Sequence, residues 1–313
     1  MALYLTEAEV EELAGVEDAI AALRAAFADW GTDGVDNKPR QRIRLPSRAM
    51  NLMGASWNSA DLCGHKSYFS GCFYFSLYSF SEKRLLALIE ANRLGAIRTG
   101  AASGVATDIL SRADASTFGI IGTGRQARTQ VLAVAAVRKL DQVRVYSRSE
   151  KKRSAFAEDM AGRLDCEVVA VDSAEACIRG VDIATTMTSA PEPVLFGDWL
   201  SPGMHVNATG ANGFERRELD DDVVMRASLV STDQREQAKI EARELMDLTG
   251  EGRLAWDDIA ELGELLRGDR PGRTGDDQIT LFKSLGLALE DVAFAKTVYE
   301  RAVANGVGRE FGP

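Results

Sequence analysis

A short apolar run that breaks into glycines stands near the middle of the chain, where residues 117–127 read TFGIIGTGRQA. Its spacing is G-x-G-x-x-A. The first glycine permits a tight turn after a strand, the second lets the backbone approach a pyrophosphate, and the small third residue lets a helix pack closely on the sheet. The N–H groups that open the helix then face the phosphates. The spacing predicts a dinucleotide site, whose members are Gly122, Thr123, Gly124, Arg125, Gln126 and Ala127.

The segments around this turn follow the order strand, turn, helix, strand. A buried-strand pattern precedes the glycines, the helical pattern RQARTQVLAVAAVRKL follows them, and QVRVYS is a second strand. Further strands are predicted at 168–171, 182–188, 205–208 and 228–231. This succession is typical of a parallel sheet built from βαβ units. It favours a dinucleotide fold over the alternative, a glycine-rich turn in an unrelated α/β domain.

The tip of the second strand indicates which cofactor the site prefers. An Asp or Glu there would bind the ribose 2′-hydroxyl of NAD, but this chain has Ser147, Arg148 and Ser149, followed by a basic run at 151–153. Arginine offers charged, planar donors that suit a 2′-phosphate. We therefore expect NADP to be preferred over NAD. Glu150 keeps NAD open as the alternative, and the cations have the plainer interpretation of a solvated helix start.

Outside this region the patterns change along the chain. Residues 6–30 show helical spacing of apolar residues, and Thr6 with Glu9 is placed to form a capping box. Residues 38–80 are rich in arginine, aromatic and β-branched residues and alternate like strands of an antiparallel sheet. Residues 98–112 predict a helix of small side chains, which suggests close packing on another element.

The segment 279–303 shows apolar residues at steps of three and four, which predicts one continuous helix. The stripe consists of Leu281, Leu285, Ala288, Val292, Ala295 and Tyr299. A chain of 313 residues is long for one core, so we expect two domains.

Composition excludes several classes of function. The 37 basic residues against 47 acidic ones leave a formal charge of −10 without basic blocks, which argues against nucleic acid as a partner. No apolar run of membrane-spanning length occurs, so we expect a soluble protein without a membrane partner. The cysteines form no C-x-x-C pair, and reduced thiols in a cytoplasm are the natural interpretation. Because His65 and His205 lie far apart in sequence, we expect no metal site.

Six ordered segments resemble the ornithine cyclodeaminase/μ-crystallin family. They are PRQRIRLP at 39–46, LMG and HKSYF within 52–69, LGAIRTGAASGVATDIL at 94–110, GIIGTGRQA at 119–127, VNATGANGFERRELDDD at 206–222 and ITLFKSLGLALEDVA at 279–293. The resemblance implies an α/β fold with a Rossmann-type parallel-sheet domain at 113–281. It also implies an α+β substrate-binding and dimerisation domain from 1–112 and 282–313, completed by the C-terminal helix. The aromatic alternation at 68–80 favours a homodimer on its own account, because it is more apolar than one solvated face requires.

The resemblance also implies a substrate site. Arg42, Lys66 and Arg98 match the family's basic residues that grip a substrate carboxylate, and the lysine faces the reacting centre. The chemistry is consistent, since a guanidinium binds a carboxylate bidentately and a lysine beside an electrophilic carbon can donate a proton. A second carboxylate, as in iminosuccinate, would need a further cationic group. The candidates for that role are Arg40, Arg44 and His65.

The chain departs from the cyclodeaminases of the family at two positions. Asn212 stands where they carry an aspartate expected to move protons during deamination, and Asn51 falls near a glutamate that would hold the distal amine of ornithine. Reduction of a C=N bond by NAD(P)H needs orientation and a proton for nitrogen, which Lys66 or a bound water can supply. We therefore expect a reductase of a small imino acid, or the reverse amino acid dehydrogenase, with Lys66 and Asn212 as candidate catalytic residues. A cyclodeaminase and an NADPH-binding protein with little turnover are the alternatives.

Overall fold

A computed structural model of the chain describes residues 1–45, 48–213 and 215–312. Pro46 and Phe214, which belong to two of the six family-like segments, lie outside the described residues, as does Pro313. The strands, in chain order, are β1 Ala2–Leu5, β2 Val35–Leu45, β3 Arg48–Trp57, β4 Leu62–Phe69, β5 Cys72–Ser79, β6 Arg84–Glu90, β7 Thr117–Ile121, β8 Gln142–Tyr146, β9 Glu167–Ala170, β10 Ile183–Thr186, β11 His205–Ala208, β12 Leu229–Thr232, β13 Ala260–Glu261, β14 Thr280–Lys283 and β15 Arg309–Phe311.

The helices complete the list of elements. The α-helices are α1 Glu7–Leu13, α2 Val16–Ala28, α3 Ala91–Leu110, α4 Arg125–Val137, α5 Glu150–Ala161, α6 Ala174–Ile178, α7 Asp221–Arg226, α8 Arg235–Glu241, α9 Arg243–Gly250, α10 Leu262–Arg267 and α11 Ala288–Asn305. Short 3₁₀ turns occur at Asn58–Ala60, Gly197–Trp199 and Trp256–Asp258.

The chain forms two compact units, Met1–Ala102 with Gly286–Pro313, and Ser103–Leu285. The sequence predicts divisions after residue 112 and before residue 282. The first division instead falls inside α3, because the first part of this helix belongs to one unit and the rest to the other. The second falls after β14, because this strand is hydrogen-bonded into the sheet of the second unit.

The first unit is built on a seven-stranded sheet in the order β15-β1-β6-β5-β4-β3-β2. Strands β2 to β6 form an antiparallel meander, as the alternation in 38–80 predicted. The period of two is clear on β5, where Phe75 and Leu77 are buried while Tyr74, Ser76 and Tyr78 are only partly covered. One face of this sheet carries the core, and α11 packs on β3 and β4 there and against α2.

The predicted helical segment at 6–30 is two helices. The capping box is confirmed: Glu9 N donates to Thr6 Oγ1 at 3.4 Å, and Thr6 N donates back to Glu9 Oε2 at 2.8 Å. The first helix ends at Leu13 because Ala14 has an extended backbone, and the second begins after Gly15. The apolar period continues across this break, which is why the sequence shows one stripe.

The second unit contains an eight-stranded sheet in the order β13-β12-β14-β11-β10-β7-β8-β9, and each adjacent pair is parallel. The strands predicted near 168–171, 182–188, 205–208 and 228–231 are confirmed as β9, β10, β11 and β12. The chain begins the sheet at β7, extends through β8 to β9, and then returns to the other side of β7 with β10. This reversal of strand order is the arrangement of a Rossmann-type sheet, as expected.

The prediction of one helix over 279–303 is wrong in its first part. Leu281 lies in β14, which pairs in parallel with β11 and β12, and Leu285 lies in the connection to α11. A strand buried on both faces is a continuous apolar run, which spacing alone does not distinguish from a buried helix. The rest of the stripe, from Ala288 to Tyr299, is helical in α11 as predicted.

None of the helices in the described part of the chain is long and apolar enough to cross a membrane.

Candidate functional site

The glycine turn between β7 and α4 has the geometry of a phosphate-binding loop. Gly122 has a φ of +121°, and a Cβ atom there would collide with the carbonyl group of Met187, so only glycine fits. Gly124 is the N-cap of α4, and a Cβ atom built on it would meet nothing within 4 Å. The space above Gly124 and the N–H groups of the first turn of α4 therefore suit an anionic group such as a pyrophosphate. Ala127 is fully buried, as close packing of α4 on the sheet requires.

The tip of β8 lies directly beside this turn. Gly122 N donates a hydrogen bond to Tyr146 O at 2.8 Å, where β8 ends. Beyond it, Ser147 Oγ donates to Ser149 O at 3.2 Å, and Ser149 is the N-cap of α5. The side chain of Arg148 is exposed at this tip and forms no ion pair with the described residues. The structure thus brings together the two sequence motifs assigned to the cofactor.

Asn212 lies in the loop that follows β11, at the carboxyl edge of the same sheet. Its side chain is exposed, whereas Gly210 and Ala211 before it are tied into the protein through their backbone N–H groups. Ligands of open parallel sheets bind at this edge, outside the carboxyl ends of the strands. Asn212 therefore lies at the edge of the sheet where a substrate or cofactor would bind.

Lys66 lies on β4 in the first unit, and 4% of it is exposed. Its Nζ donates to Asp291 Oδ1 at 3.0 Å and lies 5.6 Å from the centre of the Tyr68 ring. Burial lowers the pKa of Lys66 to about 8, even though the charge of Asp291 acts in the opposite direction. Arg98 and Arg40 lower it further. A lysine with this pKa can exchange a proton near neutral pH.

Arg98 is held against the same carboxylate. Its Nε donates to Asp291 Oδ1 at 3.1 Å, and its Nη1 donates to Glu290 Oε2 at 2.8 Å. Burial by itself would lower the pKa of Arg98, but the charges of Asp291 and Glu290 raise it, so the guanidinium stays charged. Both acids occupy the first turn of α11, where the helix dipole stabilises negative charge. These contacts leave Nη2 without a hydrogen bond to the described residues, available for a ligand.

Arg42 lies on the same face of the sheet, one row further along. It is opposite Asn51 on β3, which is opposite Tyr68 on β4, whereas Lys66 is opposite Met53. Residues opposite each other in a sheet share a face, and so do residues two apart on one strand. The register therefore places Arg42, Asn51 and Tyr68 on the Lys66 face. Arg42 is partly buried there.

The candidates for a second carboxylate have different positions. His65 points to the opposite face of the sheet from Lys66, since the two are neighbours on one strand, and its exposed ring stacks on Tyr78 at 5.8 Å. His65 therefore does not lie on the sheet face of Arg42 and Lys66, where it would have to be to bind a second carboxylate of the same substrate. Arg44 is exposed on β2. Arg40 is buried, and its Nη2 donates to Gly286 O at 3.2 Å.

Sequence reasoning missed three residues of this cluster and set a fourth aside. Arg40 was not included with Arg42, Lys66 and Arg98 in the sequence analysis, although residues two apart on a strand, such as Arg40 and Arg42, usually share a face. Glu290 and Asp291 lie within a family-like segment, but only folding shows that they pair with Arg98 and Lys66. Tyr68 was noted only for its alternation. No group of three or more His, Cys, Asp or Glu side chains among the described residues is arranged to hold a metal ion.

The sequence matches the model of the ornithine cyclodeaminase/mu-crystallin family over residues 2–306. The chain belongs to this family. Among curated members of the ornithine cyclodeaminase/mu-crystallin family, it is 41% identical to a Delta(1)-pyrroline-2-carboxylate reductase of Bacillus cereus over 233 residues, which cover 74% of this chain and 71% of that protein. The match to the family model includes residues of both units.

Solved structures of the family agree with this fold. The Delta(1)-pyrroline-2-carboxylate reductase of Thermococcus litoralis, in complex with NADH and L-proline, superposes with a TM-score of 0.94 at 34% identity and covers 99% of this chain and 100% of its own. An archaeal alanine dehydrogenase dimer with bound NAD gives a TM-score of 0.93 at 31% identity, with 99% of each chain covered. Members of the family with this fold thus bind a nicotinamide cofactor and act on small amino or imino acids.

Proposed function

We propose that this protein is an NAD(P)H-dependent reductase of a small imino acid, converting a C=N bond to an amino acid, or the corresponding amino acid dehydrogenase. The substrate class comprises ketimine, pyrroline or piperideine carboxylate and iminosuccinate types. The observation that carries the proposal is the buried pair of Lys66 and Arg98 on one carboxylate, Asp291. This pair combines a proton donor and a fixed guanidinium in a chain whose relatives include reductases and dehydrogenases.

The cofactor proposed is NADPH or NADH, bound at the carboxyl edge of the parallel sheet. It supplies a hydride to the imine carbon. Gly122, Gly124 and Ala127 fit the pyrophosphate, together with the N–H groups of residues 123 and 125–126. The exposed guanidinium of Arg148, without an acid at the tip of β8, favours a 2′-phosphate and therefore NADP. The relatives with NADH and NAD bound make NAD the alternative.

The substrate carboxylate is assigned to Arg98 and Arg42. Arg98 is oriented by its bonds to Glu290 and Asp291, so little entropy is lost when its remaining donors meet a ligand. Arg42 adds a second guanidinium on the same face of the sheet. Holding the carboxylate at fixed donors orients the adjacent C=N carbon, which is the main requirement of hydride transfer.

Lys66 is assigned as the proton donor to the imine nitrogen. When hydride reaches the carbon, the nitrogen gains an electron pair and needs one proton to become the amine. The Lys66 ammonium supplies it and becomes the neutral amine, a change that its lowered pKa makes inexpensive. In the direction of oxidation, neutral Lys66 accepts the proton from the amino group. A bound water is the alternative donor.

Asn212 favours reduction over cyclodeamination. A carboxamide cannot take up a proton near neutral pH, whereas the deamination and cyclisation of ornithine need an acid/base group at that place. An amide can still donate or accept a hydrogen bond to a polar substrate group or a water. We therefore assign Asn212 to orientation of the reacting nitrogen or its water.

The protein is also proposed to act as a homodimer in the cytoplasm. The sheet face opposite Lys66 is only partly covered in one chain and carries aromatic residues such as Tyr74 and Tyr78. A solvated face does not need them, and one relative is a dimer. The four cysteines form no disulfide with one another, and free thiols are typical of proteins in a reducing compartment.

The test is to mix the purified protein with NADPH or NADH and a panel of imino acids, and to follow the absorbance of the reduced cofactor. The panel contains pyrroline-2-carboxylate, piperideine-2-carboxylate, and pyruvate or oxaloacetate with ammonia. Oxidation of the cofactor with at least one member supports a reductase. Ammonia release from ornithine or lysine without net cofactor consumption would identify a cyclodeaminase. Tight cofactor binding without either reaction would identify a binding protein.

Two variants sharpen this assay. Asn212→Asp restores an acid at the cyclodeaminase position, and we expect it to leave reduction no faster while allowing at most a trace of ammonia release. Lys66→Ala removes the proton donor and should lower catalytic efficiency by about 10²- to 10⁴-fold, the usual contribution of a general acid. Unchanged reduction in Lys66→Ala would assign the proton to water instead.

A further inference from the structure

Glu218 is a fully buried carboxylate in the second unit that binds two loops at once. Its Oε1 accepts hydrogen bonds from Thr188 N and Thr188 Oγ1, both at 2.7 Å. Its Oε2 accepts from Gly210 N at 2.6 Å, from Ala211 N at 3.2 Å and from Thr186 Oγ1 at 3.0 Å. One side chain therefore receives four donors from the segments that follow β10 and β11 and a fifth from Thr186, the last residue of β10.

The second of these loops is fixed from its carbonyl side as well. Lys283 Nζ, at the end of β14, donates to Ala211 O at 2.8 Å. Glu244 Oε1 accepts from Glu218 N at 2.9 Å, and its carboxylate lies 3.4 Å from Lys283 Nζ. Lys283 and Glu244 are each only 1% exposed. The buried charge of Glu218 is thus embedded in a network that holds the backbone immediately before Asn212.

The loops lie where a dinucleotide would place its reactive end. Strand β7 has β8 on one side and β10 on the other, so the strand order reverses at the glycine turn. In such a sheet the pyrophosphate lies at the helix N-terminus, and the adenosine half extends from it over the first two strands, here β7 and β8. The nicotinamide half consequently extends over β10 and β11. The loops held by Glu218 are the ones that follow these two strands.

Gly210 indicates how closely the two loops approach each other. A Cβ atom at this position would collide with the backbone N and O atoms of Thr188 and would lie 2.5 Å from Glu218 Oε1. The loops are therefore in direct backbone contact around the carboxylate. Loosening one of them would displace the other.

We propose that Glu218 is a positioning residue for the nicotinamide half of the cofactor site, an inference that rests on the proposed NAD(P)H-dependent function. A carboxylate accepts hydrogen bonds at both oxygens, and here each oxygen faces N–H or O–H donors. An amide of the same shape presents an NH₂ group to one set of these donors and repels it. The loops after β10 and β11 then lose their fixed spacing, while the turn after β7 and the tip of β8 keep theirs.

The experiment compares whole and half cofactors on Glu218→Gln by calorimetry or by quenching of protein fluorescence. The whole ligands are NADPH and NADH, and the half ligands are ADP and adenosine 2′,5′-bisphosphate, which lack nicotinamide. We expect Kd for the whole cofactors to rise by about tenfold or more and Kd for the half ligands to change by less than about twofold. Glu241→Gln is the matched control, because Glu241 is equally buried but bonds Gln237 on its own helix. It should leave both classes of ligand unchanged.

Thr186→Val supplies a second variant that is less disruptive to folding. It keeps the shape of a residue without exposed surface and removes one donor to Glu218 Oε2. A smaller loss, again confined to the whole cofactors, supports the inference. Equal weakening of whole and half ligands, or no weakening of either, in folded Glu218→Gln and Thr186→Val would overturn it. Failure of the unmodified protein to bind any of the four ligands would overturn the proposed function itself, and this inference with it.

Discussion

Lys66 Nζ lies 3.0 Å from Asp291 Oδ1, and both side chains are buried although they are 225 residues apart in sequence. The same Oδ1 atom accepts from Arg98 Nε at 3.1 Å. One carboxylate therefore fixes the proposed proton donor and the proposed carboxylate-binding guanidinium relative to each other. Burial lowers the pKa of Lys66 to about 8 and the carboxylate of Asp291 acts in the opposite direction, so the balance of the two sets how readily Lys66 gives up its proton.

The pH dependence of catalysis should report Lys66. Reduction needs the ammonium form, so kcat/KM for the imino acid should be constant below pH 8 and fall by about tenfold per pH unit above it. Amino acid oxidation needs the neutral amine and should rise over the same range. Asp291→Asn removes a charge that raises the pKa of Lys66, so its inflection should move to lower pH. An inflection that stays in place in this variant would mean that another group titrates.

Substitution of Arg98 should weaken substrate binding without affecting the cofactor. Arg98→Lys keeps the charge, so Glu290 and Asp291 are not left uncompensated, but it loses the planar fork that binds a carboxylate. We expect KM for the imino acid to rise by about tenfold to a hundredfold, with Kd for NADPH unchanged. Arg93→Lys on the same helix is the control, since Arg93 is exposed and pairs with Glu11. An unchanged KM for the imino acid in Arg98→Lys would contradict the assignment of Arg98 to the substrate carboxylate.

Arg148 should decide between the two cofactors. If its guanidinium binds a 2′-phosphate, Arg148→Ala should raise KM for NADPH by about tenfold more than KM for NADH, because one charged contact contributes roughly 1.4 kcal/mol. Arg153→Ala is the matched control, since this nearby cation is already paired with Asp172 at 2.7 Å. Equal effects on NADPH and NADH, or a preference of the unmodified protein for NADH, would contradict the assignment.

The sheet face opposite Lys66 should form the dimer interface. Light scattering at micromolar concentration should give twice the chain mass of 33.9 kDa for the unmodified protein. Ser76→Lys places a charge between His65 and Leu88 on this face and should yield monomers, since a two-fold axis brings like charges together. Ser154→Lys on the exposed side of α5 should remain dimeric. A stable monomer of the unmodified protein would refute the prediction.

His205 should make the protein less stable in acid. Burial lowers the pKa of His205 to about 3 from an ordinary value near 6.5, so the unfolded chain binds a proton between these values that the folded chain does not. As the pH is lowered through this window, the free energy of unfolding should therefore decrease by up to about 1.4 kcal/mol per pH unit from this residue. Urea titrations of His205→Gln should show a shallower dependence, and those of exposed His65→Gln should match the unmodified protein. Parallel slopes for all three would exclude the effect.

Features that depend on neighbouring residues could be predicted from the order of residues. The spacing of Gly122, Gly124 and Ala127 is enough to predict a tight turn and a helix N-terminus, because both depend on neighbouring backbone atoms. The capping box of Thr6 and Glu9 is local in the same sense. The alternation along β5 and the succession of buried strands in the second unit predicted the two kinds of sheet, since side-chain period reflects which faces are covered.

Contacts between residues that are distant in sequence depend on how the strands and helices pack. Leu281 belongs to a strand because β11 and β12 flank it, and no periodicity within 279–303 contains that fact. The exclusion of His65 from the Lys66 face, and the pairing of Lys66 with Asp291, follow from strand register and helix packing. The hydrogen bonds of Glu218 to the loops after β10 and β11 likewise depend on how the chain folds. Buried charges must find partners, but the partner is set by chain topology, which the order of residues alone leaves open.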